Sequence, residues 1–177
     1  MERIWINMGL FDKLFGKVDE KMLTPLDVAD SDIVAPAYGQ MIDVKSLPDP
    51  MFAEEKMGKT IAFKYEEDSV IICSPANGEL TALFPTGHGF GVVTPEGVEI
   101  LVHIGIDTVY AKGDGFTLYS KRQGDKVKAG DPIVKVNIKK MSQNYNMSTM
   151  LIIMNPNGKE IKFIDPQIVK RGTSLLK

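Results

Sequence analysis

The chain holds two histidines, and both lie in one short stretch, Gly87-His88-Gly89-Phe90-Gly91-Val92-Val93-Thr94-Pro95-Glu96-Gly97-Val98-Glu99-Ile100-Leu101-Val102-His103. Its middle, Thr94-Pro95-Glu96-Gly97, is a turn sequence, with proline suited to the first central position and glycine to the close. Folding the stretch back at Pro95-Glu96 sets position 88 opposite position 103, where side chains of an antiparallel pair stand about 5 Å apart. A bulge at Gly97 would move that register by one residue. His103 follows Ile100-Leu101-Val102, so its imidazole emerges from apolar surroundings that favour the neutral, nucleophilic form. His88 stands between two glycines, which let another group approach its backbone. Alone, either histidine reads as a polar residue at a strand end. As a facing pair they fit two chemistries, phosphoryl transfer or metal binding.

Such a pair needs a rigid scaffold, and the sequence supplies one made of strands. From about Ser31 onward, short runs rich in Val and Ile are bounded by Gly, Pro, Asn and Asp. Predicted strands are Asp32–Pro36, Gln40–Val44, Thr60–Lys64, Ser69–Cys73, Glu79–Phe84, Phe90–Thr94, Val98–His103, Pro132–Val136, Met150–Met154 and Glu160–Ile164, with a short helix at Lys139–Tyr145. Close spacing without strong intervening helices predicts an all-β fold, an antiparallel sandwich or barrel. Val34-Ala35-Pro36-Ala37-Tyr38-Gly39-Gln40-Met41 resembles Cys73-Ser74-Pro75-Ala76-Asn77-Gly78-Glu79-Leu80, 39 residues later. In each copy a strand stops at proline, turns at glycine and restarts, as in an internally duplicated half-barrel.

Composition bounds the rest. At 177 residues, 44% hydrophobic and 25% charged, the chain fits one domain of residues 29–177 and a tail of residues 1–28. A net charge of −2, with no basic stripe, argues against nucleic-acid binding. Cys73 is the only cysteine, so no intrachain disulfide forms; a buried structural thiol in a reducing compartment is expected. No apolar run approaches the roughly 20 residues that span a bilayer, and the start lacks a signal-peptide pattern, which predicts a cytoplasmic location. In the tail, Leu10, Phe11, Leu14, Phe15 and Val18 form one apolar helical stripe with Lys13 and Lys17 beside it. That stripe reads either as a frayed end or as a weak membrane-surface anchor.

Four motifs in order make the reading specific. Gly97-Val98-Glu99-Ile100-Leu101-Val102-His103-Ile104-Gly105-Ile106-Asp107-Thr108-Val109, followed by Lys112-Gly113-Asp114-Gly115-Phe116, resembles the phosphorylation-site signature of the glucose-type IIA proteins of the bacterial sugar phosphotransferase system. Phe84-Pro85-Thr86-Gly87-His88-Gly89-Phe90 resembles that family's second-histidine motif, and Pro48-Asp49-Pro50-Met51-Phe52-Ala53-Glu54-Glu55-Lys56-Met57-Gly58 its interaction loop. Gly124-Asp125-Lys126-Val127-Lys128-Ala129-Gly130-Asp131 is a further match. The family fold is an antiparallel β-sandwich.

The resemblance implies a phosphotransferase acting through a phosphohistidine. His103 would take the phosphoryl group from the carrier HPr and pass it to a cysteine of the IIB domain of a sugar transporter. His88 would donate a hydrogen bond to the phosphoryl oxygens, and Thr86 would fix the His88 tautomer. Asp49 and Asp107 would pair with an arginine on HPr, and Met51, Phe52, Met57, Phe84, Leu101 and Val109 would form an apolar ring that docks several partners. It implies no required cofactor, although His88 and His103 could hold zinc together. It also implies inhibition of other transporters or kinases by the unphosphorylated form in some bacteria. Met8-Gly9-Leu10-Phe11-Asp12-Lys13-Leu14 resembles the start of enteric members whose tail binds membrane, so Met1–Asn7 reads as an upstream start or an added segment. The lack of attached IIB or IIC sequence predicts a free protein.

Two rivals come from other classes. A zinc endopeptidase of the lysostaphin type needs a His-x-His pair plus further ligands, and Gly105 stands where the second histidine would be. A biotin or lipoyl carrier needs its lysine in a tight turn between hydrophobic residues, and Lys140-Met141-Ser142 lies in a polar helical stretch.

Overall fold

The computed structural model describes residues 23–177; the predicted stripe at residues 10–18 lies outside them. Eleven strands build the body: β1 Gly39–Ile42, β2 Lys59–Lys64, β3 Val70–Cys73, β4 Gly78–Leu83, β5 Gly89–Val93, β6 Glu99–Ile104, β7 Phe116–Leu118, β8 Lys126–Val127, β9 Pro132–Val136, β10 Thr149–Asn155 and β11 Ile168–Val169. Every pairing between them is antiparallel. Eight form one sheet in the order β11-β1-β2-β10-β6-β5-β4-β8, and β3-β9-β7 form a second. The all-β expectation holds. Among the described residues two short α-helices interrupt it, α1 Pro50–Ala53 and α2 Ile138–Met141, the latter shorter than the predicted Lys139–Tyr145.

The large sheet reads the same from both ends: β11-β1-β2-β10 mirrors β8-β4-β5-β6, with a pseudo-two-fold axis between β10 and β6. Registers agree across that axis, since Gly39 opposes Val169 as Gly78 opposes Val127. The repeated segments also bind each other reciprocally. Val34 N–H donates to Pro75 O at 2.8 Å, and Cys73 N–H donates to Pro36 O at 3.0 Å. A second repeat, Val127-Lys128-Ala129-Gly130 against Val169-Lys170-Arg171-Gly172, continues the symmetry. Ala35 exchanges backbone bonds with Gly172 and Thr173, as Ser74 does with Gly130 and Asp131. The chain is a duplicated half-barrel.

Three predictions needed correction. Asp32–Pro36 and Glu160–Ile164 are not strands; each contributes one isolated bridge, Val34 to Ser174 and Phe163 to Leu176. Pro36 has no N–H to extend a ladder, and the second segment pairs only with residues 175–177, through Ile164 N–H to Leu175 O and Lys177 N–H to Lys162 O. The short strands β7, β8 and β11 were not predicted. The β5–β6 hairpin is one residue out of the simple register: His103 opposes Gly89, not His88. The cause is at Gly97, in the left-handed region at φ +82°, whose N–H bonds Thr94 O while Thr94 N–H bonds Val98 O. This is a three-residue loop closed by a glycine bulge, a conformation other residues adopt only with strain.

Alternation along β6 does the positioning. Ile100, Val102 and Ile104 are buried in the barrel interior with Val92, Leu80 and Leu151, while Leu101 and His103 face the other side. That outer face is covered by the segment following β1. Val44, Leu47 and Phe52 pack there on Ala62, Met150, Ile152 and Ile106, with Met57 and Leu101 at the margin. This small third core fixes the loop over the histidine. At the opposite side, the described end of the expected tail is tied to the body: Leu26 N–H donates to Ala129 O at 2.8 Å and Arg171 Nη1 to Thr24 O at 3.2 Å. Cys73 is buried, and burial pushes its thiol up to about 12, which leaves it inert.

Candidate functional site

Four aromatic rings stand in a row across the edge of the third core. Phe84 stacks on His88 with centroids 4.8 Å apart, His88 meets His103 edge-on at 5.6 Å, and Phe52 lies 5.2 Å from His103 on the far side. The sequence makes room for this. Gly89, opposite His103, has no side chain, and a Cβ there would come within 3.2 Å of the Phe84 ring. The tip of the β4–β5 hairpin supplies the second histidine: Gly87 N–H closes a turn on Phe84 O at 2.8 Å, and Phe84 N–H bonds Gly89 O at 3.1 Å. His88 thus lies just outside the regular ladder, where its ring turns to the face of His103 although their backbones are not directly opposed.

Each imidazole is held by its Nδ1. That of His103 lies 2.9 Å from Gly105 O; a carbonyl only accepts, so this nitrogen carries the proton and Nε2 keeps its lone pair. That of His88 lies 2.6 Å from Thr86 Oγ1, so the predicted partnership of Thr86 with His88 is present as geometry. Burial pushes the pKa of both rings down; for His103 repulsion from His88 adds to it, against the Gly105 carbonyl and the negative charges of Asp49 and Asp107. Burial wins. NMR titration of His103 should therefore show a midpoint below the ordinary value of about 6.5; a midpoint at or above it contradicts this account. The linkage sign follows. The unfolded chain binds these protons as pH falls through about 6.5 while the folded site resists, so the stability contributed is complete above that value and lost on acidification.

Asp49 and Asp107 flank His103 closely enough to act on its charge. Asp49 also caps α1, its Oδ1 accepting from Met51 N–H at 2.8 Å, a contact worth about 1 kcal/mol. Asp107 opens a 3-10 turn, Thr108–Ala111, in the left-handed region and has no capping bond from its side chain. Thr108 Oγ1 anchors that turn to Ile104 O at 2.5 Å. Of the predicted ring, Met51, Phe84 and Val109 are exposed, and Leu101 and Met57 are half-buried. Phe52 is only 5% exposed and lies beside the His103 ring, so it is the buried member of that set. Two features escaped the sequence reading. The Gly105 carbonyl is backbone and carries no residue-type signal. Tyr110, at 73% the most exposed large hydrophobic among the described residues, shares its turn with Val109 and Asp107.

His88 and His103 present two nitrogens to a metal, and among the described residues no cluster of three or more His, Cys, Asp or Glu could hold one. Structural and catalytic zinc sites take three or four protein ligands, so a metal held by this pair would need a further ligand from outside it. Lys140 lies in α2 and is paired with Asp114 at 2.5 Å, unlike a lysine at a hairpin tip. Among the described residues, no helix is long and apolar enough to cross a membrane.

The profile of the family described as phosphoenolpyruvate-dependent sugar phosphotransferase system, EIIA 1, matches residues 31–159. A protein of Halalkalibacterium halodurans named PTS system glucose-specific EIIA component is 35% identical over 146 residues, 82% of each chain. Its namesake in Staphylococcus aureus (strain COL) is 35% identical over 165 residues, 92% of this chain and 94% of that one. Among solved structures, the glucose permease IIA from Mycoplasma capricolum superposes with a TM-score of 0.75 at 33% identity, over 82% of this chain and 93% of that one.

Proposed function

The chain belongs to the phosphoenolpyruvate-dependent sugar phosphotransferase system EIIA 1 family and is a phosphoryl-transfer carrier of that system; from that premise we propose that His103 Nε2 is the atom that carries the phosphoryl group. One observation carries the choice. His103 Nδ1–H is bound to the Gly105 carbonyl, so the free lone pair is on Nε2, in a ring kept neutral by its surroundings. On uptake, Nε2 forms a bond to phosphorus as the donor's P–N bond breaks, and the electron pair returns to the donor imidazole of HPr. On delivery, a thiolate of IIB forms the S–P bond and His103 recovers its lone pair. Transfer of this kind is loose, so the site works mainly by aligning donor and acceptor and screening charge.

His88 is the screening group. With Thr86 Oγ1–H donating to His88 Nδ1, the His88 Nε2–H points its proton to the phosphoryl oxygens. Asp49 and Asp107 receive a cation of the partner, and Met51, Phe84 and Val109 give an adaptable apolar surface that suits more than one protein. Exposed ion pairs are worth about 0–1 kcal/mol, so apolar contact and alignment carry the docking. The reaction draws on no cofactor. Neither the zinc peptidase nor the biotin carrier gains support from the family or the site. A reconstituted relay tests the function: label from phosphoenolpyruvate should reach IIB through HPr when this chain is present and stop at HPr when it is omitted.

A cytoplasmic location fits those partners, and control of other transporters or kinases by the unphosphorylated form is the regulatory role that the family resemblance implies. The tail is the membrane element of the proposal. Its stripe and Lys13 and Lys17 would bind anionic lipid weakly, against Asp12, Asp19 and Glu20. Deleting Met1–Lys21 should leave uptake from HPr unchanged, slow delivery to membrane-embedded IIB, and reduce co-sedimentation with anionic vesicles. Equal sedimentation of the shortened and full chains, or binding indifferent to lipid charge, would mean that the tail is no anchor.

A further inference from the structure

We infer that Asn146 is a positioning residue for His103, acting through one peptide plane; this rests on His103 as the phosphoryl acceptor. The peptide unit joining Gly105 to Ile106 is planar and rigid. Its carbonyl receives the His103 Nδ1–H at 2.9 Å, and its N–H donates to the Asn146 carbonyl at 2.8 Å. Tilting that plane moves both bonds together, so whatever fixes Asn146 O also fixes the atom that holds the imidazole.

Asn146 fixes it with its own side chain. Its Oδ1 accepts from Ser148 N–H at 3.0 Å, an Asx turn that sets the direction of the 146–148 backbone. From that turn Ser148 O receives the Gly105 N–H at 3.0 Å. The two carbonyls thus clamp two successive amides, one on each side of the glycine. The clamp is built for a glycine: a Cβ at position 105 would lie 2.4 Å from Thr108 Cγ2 and 3.1 Å from Met147 Sδ. Its φ of +76° is open to glycine and strained for most others. Asn146 itself is exposed, so its contribution is the turn it makes rather than packing.

The consequence is chemical. Holding the proton on Nδ1 keeps the lone pair on Nε2, and a loosened Gly105 carbonyl lets the ring populate the other tautomer, whose Nε2 is protonated and cannot attack phosphorus. The test uses the full chain labelled with 15N in its imidazoles, with phosphoramidate as a small phosphoryl donor that needs no docking. In the wild type, the nitrogen shifts of His103 should report Nδ1–H. Asn146→Ala should show a mixed tautomer at His103, unaltered shifts at His88, and phosphate uptake slower by about threefold to tenfold. Asn146→Asp, which keeps the Oδ1 acceptor, should restore the tautomer and most of the rate. Asn146→Ala with the wild-type tautomer and rate overturns the inference, as does a slower rate with the tautomer intact. If wild type takes no phosphate on His103 from either phosphoramidate or HPr, the underlying assignment fails instead, while the tautomer comparison still reads the clamp.

Discussion

Replacing His103 by alanine should abolish labelling of the chain by phospho-HPr, a fall of about a thousandfold or more, the scale on which loss of a covalent nucleophile acts. The fold should survive the change. His103 is half-buried on the outer face of β6, while the interior side of that strand is formed by Ile100, Val102 and Ile104. Removing the ring leaves a gap bordered by Phe52 and His88 and takes no residue from the interior. Circular dichroism and a denaturation midpoint near that of the wild type would separate loss of chemistry from loss of structure. Equal labelling of the two proteins would remove His103 from its role.

His88→Gln should give a different pattern: the variant is expected to take phosphate from HPr within about tenfold of wild type but to pass it to IIB about a hundredfold more slowly, the scale of losing one oriented donor. Uptake exchanges one imidazole for another at phosphorus. Delivery brings in a thiolate, so negative charge gathers at the site and depends more on a donor directed at the phosphoryl oxygens. Glutamine keeps an N–H, but it loses the bond from His88 Nδ1 to Thr86 and the stacking on Phe84 that hold the imidazole in place. Single-turnover rates for both half-reactions measure this. If uptake vanishes as fully as in His103→Ala, the two histidines have been given each other's roles.

Much of this was legible in the sequence for a definite reason. The run Ile100-Leu101-Val102-His103-Ile104 marked His103 as an imidazole at an apolar surface, and the turn Thr94–Gly97 brought His88 to it. The exact register was not legible, because a bulge depends on the φ of Gly97, and turn sequences with and without one look alike. The repeat at Val34 and Cys73 was visible through its prolines and glycines. Its continuation at Val127 and Val169 shares only Val, Lys and Gly, and the strands it carries, β8 and β11, are two residues long. Such strands have no alternation to detect. Phe52 reads as one more apolar residue of a docking loop; only the packing of Val44, Leu47 and Ile152 around it shows that it faces inward. The Gly105 carbonyl and the Asn146 turn are backbone devices, which residue types do not announce.

The central claim is that phosphate resides on Nε2 of His103. Incubating the chain with HPr, its upstream kinase and labelled phosphoenolpyruvate, then locating the label by peptide mapping and phosphorus NMR, tests it directly. One acid-labile phosphoryl group per chain is expected, on His103, bonded through Nε2. Label on His88, on Nδ1 of His103, or on any residue outside this pair would contradict it.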